Sequence, residues 1–251
     1  MRGSQHVLIS LFSAGILLAP LVPILGIELT CIALLGVFVG ALAPDADATD
    51  AAIFHREIHG LKGVHGHIIN TAAVVLPVFG YTIRYLIYYP LSLFFLAAFG
   101  KRYRHQHRGL LHSLIGIAMT TFVLLAYISA IFLWHGWEPM PRIPLFGIAF
   151  FAGCFFHLME DTCTPSGVAW LYPFSRVRTC GMIRTASMLE IRPGAFALVL
   201  GLIGVATAAA AFFELVPIRE LAVISVGALI LPWLLFLTAS RVRHGRALRA
   251  A

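Results

Sequence analysis

The sequence predicts an all-α, polytopic bundle of about six membrane-spanning helices, with a broken hairpin or re-entrant segment over residues 64–99 and both termini in the cytoplasm. Three observations carry that expectation. Of 251 residues, 60% are hydrophobic and only 12% charged, against about 25% charged in ordinary soluble domains. Several apolar runs reach the roughly 20 residues a helix needs to cross a bilayer. The basic residues, finally, gather in alternate loops, as the positive-inside rule describes.

The first run, 7–25, follows the short basic start MRGSQH. It is long for a signal peptide and lacks a small-x-small cleavage site, so it reads as an uncleaved first helix. The second, 29–43, carries Gly36 and Gly40, a small-xxx-small pair suited to close helix packing. Further spans fall at 110–134, 144–162, 195–213 and 221–239. On one side the loops PLVPILGIE, HGWEPMPR and ELVPIRE hold only Arg142 and Arg219 among basic residues. The other side receives Arg2, Arg56, Lys62, Lys101, Arg102, Arg104, Arg108, Arg176, Arg178, Arg184, Arg192 and the tail RVRHGRALRA, which assigns it to the cytoplasm.

The segment 64–99 is too long for one span and is interrupted by Pro77, Gly80, Arg84 and Pro90. Both its flanks lie on the basic side, so it should cross an even number of times or enter and return, and RYLIYYP within it has an interfacial, aromatic composition. The whole chain, 1–251, reads as one membrane-embedded domain: a motif-bearing core over 1–175, a C-terminal helical hairpin over 195–239 and a basic cytoplasmic tail over 240–251. The net charge of +7 is topological and attracts anionic head groups. No nucleic-acid partner is expected, because no aromatic-interleaved motif accompanies the tail. Cys31, Cys154, Cys163 and Cys180 form no CxxC pair, so no disulfide framework is expected. Cys154 and Cys163, near His157 and Asp161, read as small buried residues.

The alternation of spans delivers polar residues to one depth on the basic side. His6 opens the first span, and Asp45 and Asp47 in GALAPDADATD close the second. His107 and His112 in HQHRGLLHS open the next, and His157 and Asp161 lie in GCFFHLMEDTCTPSG. His157 and Asp161, four apart, share a helix face. Asp45 and Asp47, two apart after Pro44, can point the same way if the turn is extended. Each has an ordinary alternative, such as an interfacial histidine, a helix-end turn or a hydrogen-bonded pair, but their joint placement favours a metal site.

Imidazole with carboxylate suits a divalent metal, zinc first and manganese or iron next, one to three ions in number, with positions left open. Such a site acidifies a bound water and polarises a phosphoryl or carbonyl oxygen. Arg108 is a candidate clamp for an anionic group, and Asp47 a candidate general base. His55, His59, His65 and His67 form either a second metal group or a His-rich loop. His105 reads as interfacial, and Glu160, on another helix face, as a supporting or surface acid.

At these residues the chain resembles the YdjM-type family, described as LexA-regulated inner-membrane hydrolases that depend on metal. The matching blocks are His6; PDAD (Pro44, Asp45, Asp47); HRGLLHS (His107, Arg108, Gly109, His112, Ser113); and HLMEDTCTPSGV (His157, Asp161, Thr164, Pro165, Gly167, Val168), followed by Pro173. The chain departs from the pattern at Leu111, where the family has Thr, and in the His-rich insert at 55–67. The resemblance implies a multi-pass inner-membrane protein, and the loop charges put its site at the cytoplasmic face. The site composition points to hydrolysis of a phosphoester or ester of a lipid or lipid-linked substrate. A metal or proton transporter using the same cluster, or a metal-stapled structural protein, would be the alternatives, and a homodimer is compatible with either class.

Overall fold

The computed structural model describes residues 1–61, 63–100, 103, 108–184, 187 and 189–245. It is predominantly helical, and six helical stretches are long and apolar enough to cross a membrane: Gly3–Gly40, Gly66–Phe99, Leu114–Trp134, Arg142–Thr162, Arg192–Phe212 and Ile218–Ala239. The first of these folds back on itself. α1 (Gly3–Leu18) and α2 (Val22–Gly40) are joined by a tight 3-10 turn at Ala19–Leu21, and Gly26, at φ 73° and ψ 173°, breaks helical geometry just beyond it. Ala14 then packs with Ala33 and Val37, as in a hairpin. The reversal falls within the predicted loop PLVPILGIE, with helical turns persisting through it.

α6 (Leu114–Trp134) and α7 (Arg142–Thr162) follow. Contact between α2 and α7 is the most extensive of any helix pair, and glycine is the reason. A Cβ on Gly36 would lie 2.7 Å from the Phe146 carbonyl oxygen; one on Gly40 would overlap the Phe150 carbonyl, and one on Gly153 the Val37 carbonyl. Backbone thus meets backbone, as small-residue pairs permit in helices whose apolar side chains gain nothing by leaving lipid. The two helices run in the same direction, so their C-terminal ends finish together.

Residues 63–99 hold the predicted break in another form. α3 (Gly63–Ala72), α4 (Leu76–Tyr81) and α5 (Tyr89–Phe99) are linked by a 3-10 turn at Ala73–Val75 and a π-helical stretch at Thr82–Tyr88. The junction residues Ala72, Val75, Tyr81 and Tyr88 all keep right-handed helical dihedrals. The prolines and Gly80 therefore change the helical pitch instead of making a hairpin turn. Its middle rests on the loop after α2: Gly80 abuts the Ile53 carbonyl, and the Arg84 guanidinium donates to the Ala48 carbonyl at 2.9 Å.

α8 (Arg192–Phe212) and α9 (Ile218–Ala239) form the C-terminal hairpin and pack on α1. Strand β1 (Arg178–Cys180) pairs antiparallel with β2 (Arg243–Gly245). Met1 sits beside Asp161, so both described ends of the chain lie where α2 and α7 finish.

Candidate metal centre

The glycine-mediated docking of α2 on α7 has a direct chemical result. It brings the Ala41 carbonyl oxygen 2.7 Å from His157 Nδ1. That nitrogen donates, the ring is fixed as the Nδ1–H tautomer, and Nε2 is left with its lone pair facing inward. Around it stand His112 from the turn before α6, Asp45 from the 3-10 turn Ala43–Asp47, Asp161 one helical turn along α7, and His6 from α1.

The distances define one compact cluster. His112 Nε2 lies 3.3 Å from Asp45 Oδ1 and 3.5 Å from Asp161 Oδ2. His157 Nε2 lies 3.6 Å from Asp45 Oδ1 and 3.8 Å from Asp161 Oδ2. The His6 ring stacks on His157 with centroids 3.9 Å apart, and its Nε2 is 3.7 Å from Asp161 Oδ1. Two overlapping triads, His6–Asp45–His157 and His112–His157–Asp161, each offer ligand atoms within 4.8 Å of one another and could hold a metal ion. Every histidine in them is at most 1% exposed and Asp161 is fully buried. His157 Nε2 and Asp161 Oδ2 are buried with no hydrogen-bond partner. At Asp45, burial works against ionisation, but the neighbouring His157 and His112 prevail and hold its carboxyl below the usual range.

Asp47 takes a different place from Asp45. The turn is a 3-10 helix and not the extended turn expected from PDAD, and at three residues per turn positions two apart diverge. Asp47 Oδ2 lies 3.8 Å from His112 Nδ1, on the far side of that ring, and accepts the Arg108 backbone N–H at 3.2 Å. Arg108 itself reaches into the cluster: its NH2 donates to Asp161 Oδ1 at 2.8 Å and its NH1 to Thr164 Oγ1 at 3.0 Å, and NH1 also meets Ser166 Oγ. His107 lies outside the described residues, as does His105.

Glu160 departs from the surface position considered for it. It is fully buried, with Oε2 3.0 Å from His6 Nδ1 and Oε1 accepting from Ser10 Oγ at 3.5 Å. Because α1 covers that flank of α7, the other helix face is also interior. Thr164, Ser166 and Glu160 are the groups around the cluster that spacing did not single out as site residues. Thr164 was signalled by the family block that contains it, and Ser166 and Glu160 by proximity to His157 and Asp161 in the chain. His55 and His59 face each other edge to ring at 6.4 Å and belong to neither triad. Burial pushes the Cys163 thiol up to about 12, so it stays protonated and bonds the Met159 carbonyl. Ser113, for its part, caps α6 by accepting the Gly116 N–H at 3.0 Å.

Fold and site together define a multi-pass membrane protein with a buried histidine and aspartate cluster at one end of its bundle. Residues 1–240 match the model of the YdjM inner membrane protein family, and the chain belongs to that family. Searches of curated proteins and of solved structures returned no match.

Proposed function

We propose that this chain is a membrane-bound, metal-dependent hydrolase acting on a phosphoester or ester of a lipid or lipid-linked substrate. The observation that carries the reading is the convergence of three imidazoles and two carboxylates from four chain segments within bonding reach of common points. A buried acceptor without a partner costs about 1–3 kcal/mol, and His157 Nε2 and Asp161 Oδ2 are both such acceptors. A divalent cation would satisfy the two at once, so the residues fit the group.

In this reading His6, Asp45, His112, His157 and Asp161 hold one to three ions, zinc first, with His107 as a further candidate. A bound ion of this kind supplies Lewis acidity and a water acidic enough to ionise near neutral pH. The chain's own residues do the rest. The Ala41 carbonyl and Glu160 orient His157 and His6 from behind. Asp47 steadies His112 and, being close to both His112 and Arg108, is the carboxylate assigned to take up a proton during turnover. Arg108 holds the anionic part of the substrate, and the apolar helix walls accommodate its tail. The gathering of basic residues in the loops on this side supports a cytoplasmic position for this face.

The test is elemental analysis of purified protein followed by turnover assays on phosphoester and carboxylic-ester lipids. Stoichiometric zinc, manganese or iron in the wild type, lost in His157→Ala and Asp161→Ala, is the expected result. Full metal content in both variants would remove the reading.

A further inference from the structure

The loop Cys163–Val168, the turn at Arg108 and strand β1 meet beside the cluster, and their hydrogen-bond polarity is one-sided. Arg108 is held in an unusual backbone conformation, φ 59°, which costs a branched or long side chain about 1 kcal/mol or more. Among the described residues, the other non-glycine residues with positive φ, Glu214 and Arg241, follow the C-terminal ends of α8 and α9, where left-handed geometry is routine. Arg108 instead precedes α6. Its conformation is clasped from both sides: the N–H donates to Asp47 Oδ2 at 3.2 Å, and its carbonyl accepts from Arg178 NH2 at 3.4 Å.

Arg178 spends its guanidinium on backbone. NH1 donates to the Ser166 carbonyl at 3.0 Å and the Gly167 carbonyl at 3.2 Å, while NH2 reaches Arg108, so one side chain ties the Ser166 loop to the Arg108 turn. Gly167, at φ 56° and with the Thr179 carbonyl where a Cβ would be, allows the loop to lie flat on β1. Thr164 Oγ1 donates its proton to the Asp161 carbonyl at 2.7 Å and can only accept from Arg108. Ser166 differs: it is exposed, its Oγ meets Arg108 NH1, and its hydroxyl proton has Thr164 Oγ1 as a partner at a long 3.4 Å, a contact that a ligand oxygen can displace.

We infer that Arg108 and Ser166 form a receptor for a charged phosphoryl group beside the metal cluster, with Arg178 and Thr164 as its positioning residues. The inference rests on the hydrolase reading and narrows its substrate class to phosphoesters. A guanidinium and a hydroxyl proton present donors alone, which suits the oxygens of a phosphoryl anion. A neutral carboxylic ester offers no charge to match. Arg108 has Asp161 as its carboxylate partner, and once Asp161 is shared with a cation the guanidinium keeps a positive charge for an incoming anion.

The experiment uses the full chain in nanodiscs of neutral lipid, with inorganic phosphate as one probe and phosphatidic acid incorporated in the disc as the other. Binding is read by calorimetry and by inhibition of turnover, with metal content measured on the same samples. Wild-type protein should bind at least one probe. Ser166→Ala and Arg108→Lys should weaken it about tenfold or more with metal content unchanged. Arg178→Lys should raise KM for a phosphoester without lowering kcat to the same degree, whereas Arg178→Met should raise KM further and lower kcat as well. Binding of phosphatidic acid alone assigns a lipid head group, and binding of both assigns the phosphoryl group itself. If metal-loaded wild type binds neither probe, or the variants bind as tightly as wild type, the receptor is wrong while the hydrolase reading stands. If no metal is present at all, that reading fails, and binding of phosphate that Ser166→Ala and Arg108→Lys weaken would still uphold the receptor.

Discussion

The α2–α7 pair and the α8–α9 hairpin are built from similar apolar residues, yet they hold together by opposite means. Between α2 and α7, glycines at 36, 40 and 153 remove side chains so that backbones touch. Between α8, α9 and α1, large rings fill the gap: Phe196 stacks on Phe236 at 4.1 Å, Trp233 lies between Phe156 and Phe196, and the Trp233 indole donates to Ser13 Oγ at 3.1 Å. Side-chain packing tolerates small shifts. Backbone contact does not, and here it sets the 2.7 Å bond from His157 to Ala41. Precision is concentrated where the polar cluster needs it.

The sharpest way to break this comparison is to attack the cluster directly. Under the proposed reading, His157→Ala and Asp161→Ala abolish stoichiometric metal while Phe196→Ala in the hairpin leaves metal per folded molecule unchanged. Phe196→Ala should cost about 3–5 kcal/mol of stability, from the cavity it leaves together with its two ring pairs. Elemental analysis and thermal inactivation of the three purified variants separate the effects. Equal metal loss in all three would mean that the two regions are not distinct in function.

A second pair tests the glycine contact. Gly40→Leu forces α2 and α7 apart and should cost about 1–3 kcal/mol together with most of the bound metal, since Ala41 no longer reaches His157. Gly227→Leu on α9, where a Cβ meets nothing within 4 Å, should leave metal content unchanged and raise stability by about 0.5–1 kcal/mol through helix propensity. Next in size, Glu160→Gln keeps the shape but replaces the carboxyl that holds His6 Nδ1, and should weaken metal about 10–100-fold, read by competition with a chelator. An unchanged affinity would leave Glu160 without a supporting role.

The same contrast explains what could be read from the sequence. Apolar run lengths and loop charges gave the spans, and Gly36 with Gly40 announced a close helix contact, although not that α7 was the partner. His157 and Asp161 were legible because helical spacing alone puts them together. Asp45 and Asp47 were half legible: their depth followed from the span, but their directions depended on a 3-10 turn that Pro44 permits without dictating. Of the two readings of Glu160, supporting acid or surface acid, the surface one fails because a helix covered on several sides has no surface face, and which helices cover it is a tertiary fact. Ser166 and Arg178 were invisible as site residues for the same reason, since loop and strand meet Arg108 only after the bundle closes. In 63–99, prolines signalled a break but not its form.

The smallest predicted effect lies where the hairpin joins the rest. Glu190 grips Arg192 through Oε1 to Nε at 2.7 Å and Oε2 to NH2 at 2.5 Å, and Arg192 in turn donates to the Ala239 carbonyl at the end of α9 and to Met182. The hydrogen bonds from Arg192 hold the Glu190 carboxyl down to about 2, below its ordinary 4.5. A carboxyl with a depressed folded value adds stability that is complete above the unfolded value and lost as pH falls through the folded one. Its contribution should therefore be full at pH 7 and fade between about 4.5 and 2. Because the pair stands at the surface, solvent screening limits it to less than about 1 kcal/mol. Glu190→Gln should lower the thermal midpoint slightly at pH 7, flatten the acid limb of the stability profile and leave metal content untouched. A variant that loses metal would couple the hairpin to the cluster and dissolve the division between the two regions.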